Sequence, residues 1–269
     1  MMKANFLLIQ EHKQKSLHLC LMKWLFLCIL LTLTGFLSSA QSLIHAHNDY
    51  QKPEPLSNAL RNKVFSIEVD IYLSGGRLLV AHDKKELDTA KALDAMYLQP
   101  IIELFRQHKG TISADIAYTP ILMIDIKEKG EAVITELVNL LAPHRSVFDR
   151  SVNAKAVKVV ISGNRSASHK WTSYPVYIYF DGRPYETYDE ATLQRVAFMS
   201  DSYFNYIIPK DSTSRIEEVV KKVHGMGKLF RLWASPDNPD SWKWQQQLGI
   251  DIINTDKVEE CRNYFSVTK

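Results

Sequence analysis

The sequence predicts a single α/β domain whose eight parallel strands, each followed by helical chain, close into a (β/α)8 barrel of the TIM type. Strand-like apolar runs alternate with helical segments eight times along the chain, which is typical of one parallel sheet of barrel size. The alternative is a doubly wound open sheet, but no GxGxxG or Walker loop is present to favour it. In a barrel, catalytic groups lie at the carboxyl ends of the strands.

The strand segments are short and either alternate with period two or are continuously apolar. In chain order they are 42–47, 65–73, 121–127, 156–162, 176–180, 204–209, 229–234 and 250–254. The helical segments carry apolar residues at a spacing near 3.6, and two begin at residues that favour a helix start, Pro55 and Ser214. They are 56–61, 85–98 with its continuation 100–108, 133–141, 214–226, 240–248 and 256–265.

Residues 1–40 are predicted to be a secretory signal peptide. From Met22 the chain carries one lysine, an uninterrupted apolar run and small residues before Gln41, so we expect cleavage after Ala40. The apolar run is shorter than the ~20 residues of a spanning helix, which argues against a membrane anchor. The stretch before Met22 is long for a leader, which makes Met22 a candidate true start. The barrel domain is then 41–269, in a protein expected to be secreted or to lie in the periplasm or cell envelope.

The predicted mature chain has no net charge. The leader holds four of the 33 basic residues and one of the 30 acidic residues, so its removal leaves equal numbers of the two. A chain without a basic field gives no reason to expect nucleic acid as a partner.

Two acids on one strand face indicate a metal site. Glu68 and Asp70 point to the same side of the strand 65–73, whose other face is apolar. Two carboxylates there are costly to bury unless a cation lies between them. Asp125 repeats the pattern on a later strand, and carboxylate ligands favour Ca²⁺ or Mg²⁺ over zinc.

These residues resemble the phospholipase C-like phosphodiesterases, which are (β/α)8 barrels. The shared motifs are His47-Asn48-Asp49-Tyr50, Glu68-Val69-Asp70, His82 and Asp125-Ile126-Lys127. With the late segment WASPDNP at 233–239, the chain resembles in particular the group of fungal altered inheritance of mitochondria protein six. The resemblance extends from His45 to Asp256.

The resemblance implies a role for each motif. It makes His47 and His82 the catalytic histidines. It makes Glu68, Asp70 and Asp125 metal ligands, with Asn48 as a further oxygen ligand. Asp125 stands where these families usually have glutamate, and the arginine that glycerophosphodiesterases carry after the first histidine is absent. The phosphate contact then falls to Lys127 or Arg231. Trp233, on the same strand face as Arg231, could line the substrate pocket or pack in the core.

The expected function is metal-dependent hydrolysis of a glycerophosphodiester- or phospholipid-like substrate by two-histidine acid/base catalysis. The partner is then a small-molecule or lipid phosphodiester, with transient contact to a membrane surface. Two alternatives stay open. His45-Ala46-His47 also resembles the start of an amidohydrolase metal site, although no later histidine falls at a strand end. A barrel that binds a phosphorylated ligand without turnover is the other. Lys127 could also simply pair with Asp125 or Glu68.

Overall fold

The computed structural model describes residues 42–207 and 212–267, and eight parallel strands close into a barrel. The strands are β1 (Leu43–Ala46), β2 (Ser66–Ser74), β3 (Arg77–Val80), β4 (Ile121–Ile126), β5 (Lys158–Gly163), β6 (Ile178–Gly182), β7 (Val196–Ser202), β8 (Phe230–Trp233) and β9 (Ile252–Thr255). The parallel order is β1-β9-β8-β7-β6-β5-β4-β2, and pairing of β2 with β1 closes the ring. The predicted barrel is therefore confirmed and the open sheet is not observed. The predicted signal peptide lies outside the described residues.

Helices cover the outside of the barrel. They are α1 (Ser57–Arg61), α2 (Gln99–Gln107), α3 (Gly130–Leu141), α4 (Arg145–Phe148), α5 (Glu190–Gln194), α6 (Ser212–Gly225), α7 (Pro239–Gln247) and α8 (Val258–Val267). The main apolar core lies between these helices and the outward residues of the strands, such as Val69 and Ile124. Within the described part of the chain, no helix is both long enough and apolar enough to cross a membrane.

The interior of the barrel changes from apolar to polar along its axis. A small buried cluster that includes Met123, Phe198 and Ile252 fills one level. Two residues further along the same strands, and so on the same inner face, come Asp125, Ser200 and Asn254. The apolar level therefore lies beneath a polar level at the carboxyl ends of the strands.

Two strands differ from the sequence-based prediction. The strand predicted at 204–209 is wrong over residues 204–207, because Tyr203–Asn205 is a short 3-10 turn and the sixth barrel strand is β7, just before it. Residues 208 and 209 lie outside the described residues. The unpredicted β3 pairs antiparallel with β2 across the turn at Gly75 and Gly76, where φ is +54° and +73°. This hairpin, rather than a parallel strand, carries the chain to His82.

Candidate active site

Three carboxylates meet at the carboxyl ends of two neighbouring strands. Glu68 and Asp70 on β2 and Asp125 on β4 each offer an oxygen atom, and these atoms lie within 4.8 Å of one another. We call these residues the carboxylate triad. Asp70 is fully buried and lies opposite Asp125 in the register of the two strands. Burial and the charge of Glu68 raise the pKa of Asp125, as expected where carboxylates share a poorly hydrated site.

The two carboxylate oxygens of Asp70 have different surroundings. Oδ2 accepts the Tyr50 hydroxyl at 2.8 Å, His82 Nδ1 at 2.9 Å and Lys127 Nζ at 2.7 Å. Oδ1 is buried and has no hydrogen-bond partner within the described residues. A buried acceptor without a partner is costly, and a hard cation would satisfy it. The oxygen donors of the triad therefore fit a divalent cation such as Ca²⁺ or Mg²⁺.

Lys127 follows β4 directly and pairs with two members of the triad. Its Nζ lies 2.6 Å from Asp125 Oδ2 as well as 2.7 Å from Asp70 Oδ2. Burial alone would lower the pKa of Lys127, but the charges of Asp125 and Asp70 outweigh it and raise that pKa. The ion pair with Asp125 that the sequence allowed is present, and the phosphate contact of Lys127 stays a prediction.

A chain of contacts joins the two histidines assigned to catalysis. His47 Nδ1 lies 3.1 Å from the amide nitrogen of Asn48, whose Oδ1 lies 3.2 Å from the Tyr50 hydroxyl. That hydroxyl lies 3.3 Å from His82 Nδ1. Asn48 has a left-handed backbone, φ +48° and ψ +40°, which asparagine tolerates better than most residues. His47, Asn48 and His82 are thus brought to the same end of the barrel as the triad.

Asp256, to which the sequence analysis gave no role, contacts His47. Its Oδ1 lies 3.2 Å from His47 Nδ1, which is a hydrogen bond when Nδ1 carries the proton. The Asn48 amide nitrogen beside the same atom is then a neighbour and not a donor to it. Burial lowers the pKa of His47, but the hydrogen bond to Asp256 and the charges of Glu68 and Asp256 raise it overall. Asp256 follows β9, so its place at a strand end was the signal that could have identified it.

Asp237, in the WASPDNP segment, holds Asp256 in place. Its Oδ2 accepts the backbone N–H of Asp256 at 2.9 Å, and its Oδ1 accepts the Thr255 hydroxyl at 2.7 Å and the Trp242 indole N–H at 2.9 Å. The loop after β8 therefore fixes the end of β9 on which the histidine contact depends.

Arg231 is buried beneath the triad. Its guanidinium lies 3.3 Å from Glu68 Oε2 and 3.4 Å from Asp181 Oδ2, and it donates to Asn254 Oδ1 at 2.9 Å. Only 3% of the residue is exposed, so these buried partners occupy the side chain that the sequence suggested for phosphate. Trp233, two residues further along β8, is 38% exposed at the rim of the barrel.

The structure separates the two histidines of the His-x-His motif. His45 is fully buried, with Nδ1 2.6 Å from Ser66 Oγ and Nε2 2.5 Å from Glu68 Oε2. Burial and the charge of Arg231 keep the pKa of His45 well below its usual value. In the described ranges, the carboxylate triad is the one group of histidines, cysteines or acids placed to hold a metal ion, and it contains no histidine. The arrangement gives no support to an amidohydrolase site.

Solved structures with this fold include two bacterial phosphodiesterases. The chain resembles a glycerophosphodiester phosphodiesterase from Parabacteroides distasonis with a TM-score of 0.57 and 14% identity, over 85% of this chain and 98% of that one. A second such enzyme, from Agrobacterium tumefaciens, gives a TM-score of 0.50 at 14% identity, over 82% and 98% of the two chains. At this identity the likeness concerns the fold, which is the barrel of these phosphodiesterases.

The sequence comparisons identify the family. The sequence-family model of the AIM6-like phosphodiesterase domain matches residues 38–181 of this chain. Altered inheritance of mitochondria protein 6 of Eremothecium gossypii is 26% identical over an alignment of 267 positions, which covers 82% of this chain and 69% of that protein. The homologue from Arthroderma benhamiae is 23% identical, with 82% of this chain and 83% of that protein covered. The chain belongs to the AIM6-like phosphodiesterase family, within the phospholipase C-like phosphodiesterase superfamily.

Proposed function

We propose that this protein is a metal-dependent phosphodiester hydrolase. The observation that carries the proposal is the carboxylate triad with the unpartnered, buried Oδ1 of Asp70, placed at the same end of the barrel as His47 and His82. A divalent cation held by Glu68, Asp70 and Asp125, with Asn48 as a further oxygen donor, would supply positive charge to the phosphate and to the attacking oxygen.

His47 acts as the general base in this proposal. Asp256 orients its ring, so that Nε2 can take the proton of the attacking group as the new P–O bond forms. The attacking group is a hydroxyl beside the phosphate of the substrate or a water molecule. The first route gives a cyclic phosphate and the second gives direct hydrolysis.

His82 acts as the general acid and gives a proton to the leaving oxygen as the old P–O bond breaks. Its Nδ1 is held by Asp70 Oδ2 and the Tyr50 hydroxyl, which fixes the ring and leaves Nε2 for the substrate. Lys127 lies beside the triad and is the cation best placed to meet a phosphate oxygen.

The substrate is proposed to be a glycerophosphodiester or a phospholipid, which the protein reaches by transient contact with a membrane surface. Three exposed aromatic side chains support this part of the proposal: Tyr185 (68% exposed), Phe204 (56%) and Trp233 (38%). They follow or end β6, β7 and β8, so they lie at the same end of the barrel as the triad. The leader predicted at 1–40 supports export to the periplasm, the cell envelope or the exterior.

Hydrolysis assays with controlled metal content test this proposal. Bis(p-nitrophenyl) phosphate and glycerophosphodiesters would be incubated with the protein in EDTA, Mg²⁺ or Ca²⁺. We expect no turnover in EDTA and recovery with one of the two ions. Asp70→Asn should lose at least about 10²-fold in kcat, in the range that single catalytic groups contribute, and calorimetry should show weaker metal binding.

Asp149→Asn is the matched control. Asp149 is as buried as Asp70 and pairs with Arg145 instead of the triad, so its loss should affect stability without affecting metal affinity. Turnover that persists in EDTA, or full activity in His47→Ala or Asp70→Asn, would refute the proposed function.

A further inference from the structure

The opposite end of the barrel carries a cluster of cations that the proposed reaction does not use. Arg150, Lys158 and Lys228 lie before or at the start of β5 and β8, where the amino ends of the strands surround the barrel axis. We call these three residues the amino-end cluster. Arg195 adjoins it, directly before β7.

Lys158 is the centre of the cluster. It lies two residues before Val160, which belongs to the small apolar cluster inside the barrel that also includes Met123 and Phe198. Its side chain therefore points to the same inner face. Its Nζ lies 4.6 Å from the centre of the Tyr179 ring. Among the described residues, its ammonium group has no hydrogen-bond acceptor and no carboxylate partner.

Backbone carbonyls anchor the neighbouring cations. Arg150 donates from Nε to Ala156 O at 2.9 Å and from an amino group to Thr119 O at 3.3 Å. Lys228 Nζ donates to Val196 O at 2.7 Å. These carbonyls precede or begin β5, β4 and β7, so the three cations converge on one mouth of the barrel. Arg195 donates to Ile178 O at 2.7 Å, while its Nε is buried without a partner in the described chain.

Carbonyl groups orient a cation but do not neutralise it. Burial and the positive charges of Arg150 and Lys228 lower the pKa of Lys158 to about 8. Burial lowers the pKa of Lys228 and of Arg150 as well. No carboxylate contributes to any of these shifts. The three cations therefore repel each other, and within the described residues none of them pairs with a carboxylate. Asp251, directly before β9 at the same end, pairs with His224.

We propose that the amino-end cluster binds a phosphate group, at a site separate from the catalytic end of the barrel. A doubly charged oxyanion would give the Lys158 ammonium the acceptor that it lacks among the described residues, and would neutralise the neighbouring cations. The Tyr179 ring lies against the Lys158 ammonium, and Val160 of the small apolar cluster lies two residues further along β5. The phosphate could belong to a soluble molecule or to an anionic lipid headgroup. This binding does not depend on the proposed hydrolase activity.

Calorimetric titration with inorganic phosphate, on chelator-treated full-length protein, tests the site. We expect one phosphate to bind the wild-type protein, and Lys158→Met to weaken the affinity at least tenfold. Lys170→Met is the matched control, because it removes the same charge from an exposed lysine that pairs with Glu131 away from the mouth. Lys127→Met should retain binding, which excludes the catalytic end as the site.

A second variant and a second phosphate source complete the test. If Lys158→Met fails to fold, Lys228→Met replaces it, with the same tenfold loss expected. Phosphate should also raise the Tm of the wild-type protein and leave that of the variant unchanged. Flotation with vesicles containing phosphatidic acid tells a lipid headgroup from free phosphate. The proposal is overturned if neither source binds, or if the Lys158 and Lys228 variants bind as the wild-type protein does.

Discussion

Gly163 lies where β5 ends, against the carboxylate triad. Its φ is +67°, and a Cβ atom added there would lie 2.4 Å from Ile126 O and 2.6 Å from Asp125 Oδ1. Close approach of the backbone is therefore part of what places Asp125. In the sequence this glycine directly follows the strand predicted at 156–162, but only the packed structure shows what it touches.

Gly163→Ala should destabilise the protein and lower its activity. The left-handed backbone alone costs a β-carbon about 1–2 kcal/mol, and here the overlap with Ile126 adds to that cost. Gly76→Ala is the control, because Gly76 has a similar φ of +73° with no atom within 4 Å of the added Cβ. Denaturant unfolding and turnover should show a larger loss of stability for Gly163→Ala, and lost activity for that variant alone. Equal losses of stability would contradict the proposed contact.

Asp256→Asn should lower kcat by about 10²-fold, as expected for a group that supports a general base, with a small change in KM. The amide no longer stabilises a proton on His47, although its oxygen can still accept from Nδ1–H. Asp251→Asn is the control, since Asp251 forms a similar pair with His224 at 2.8 Å, away from the triad. Steady-state kinetics of the two variants, with circular dichroism to verify folding, make the comparison. An unchanged kcat in Asp256→Asn would contradict the proposal that Asp256 orients His47.

At the scale of elements, the hydrophobic pattern predicted the first five barrel strands and the last two. The sixth was misplaced because Val196–Ser202 and the run after it are both short and apolar, and β7 also carries polar residues that look out of place in a strand. Ser200 explains the discrepancy: it points into the barrel and donates to Asp181 Oδ1 at 2.8 Å. A strand that lines a polar interior loses the continuous apolar signal of a parallel sheet.

Tyr185, Phe204 and Trp233, which follow or end β6, β7 and β8, form the apolar rim of the barrel. Trp233→Ala and Phe204→Ala should each weaken binding to phosphatidylcholine vesicles at least about tenfold, because burying an aromatic side chain contributes about 1.5–3 kcal/mol. Val152→Ala and Val176→Ala are the controls, as these side chains are 53% and 58% exposed before β5 and β6, at the other end. Vesicle flotation measures the binding, and turnover of bis(p-nitrophenyl) phosphate should stay unchanged in Phe204→Ala. Equal effects at both ends would contradict a specific lipid-facing rim.

At the scale of the whole molecule, the barrel separates its charges along its axis. The carboxyl end gathers acids around Asp70, and the amino end gathers cations around Lys158. The acids could be predicted from the sequence because Glu68 and Asp70 lie two residues apart on one strand. The cations could not, because Arg150, Lys158 and Lys228 come from separate segments that only barrel closure brings together. For the same reason the contact of Asp256 with His47 joins residues more than 200 positions apart.

This charge separation predicts how stability changes with pH. The pKa of Lys158 in the folded protein is lowered to about 8, from its ordinary value of 10.5. Between these pH values the unfolded chain holds a proton that the folded protein has released, so this lysine makes stability rise with pH over that interval. Below pH 8 Lys158 is protonated in both the folded and the unfolded protein, and the full free-energy cost of holding its charge in the folded state is present. Lys158→Met should therefore be more stable than the wild-type protein at pH 7 without phosphate. The two free energies of unfolding should converge towards pH 10.5. Denaturant unfolding of both proteins from pH 7 to 10.5 measures the difference, and Lys170→Met controls for the loss of one charge. A constant difference across this range would show that neither burial nor the neighbouring cations lower the pKa of Lys158.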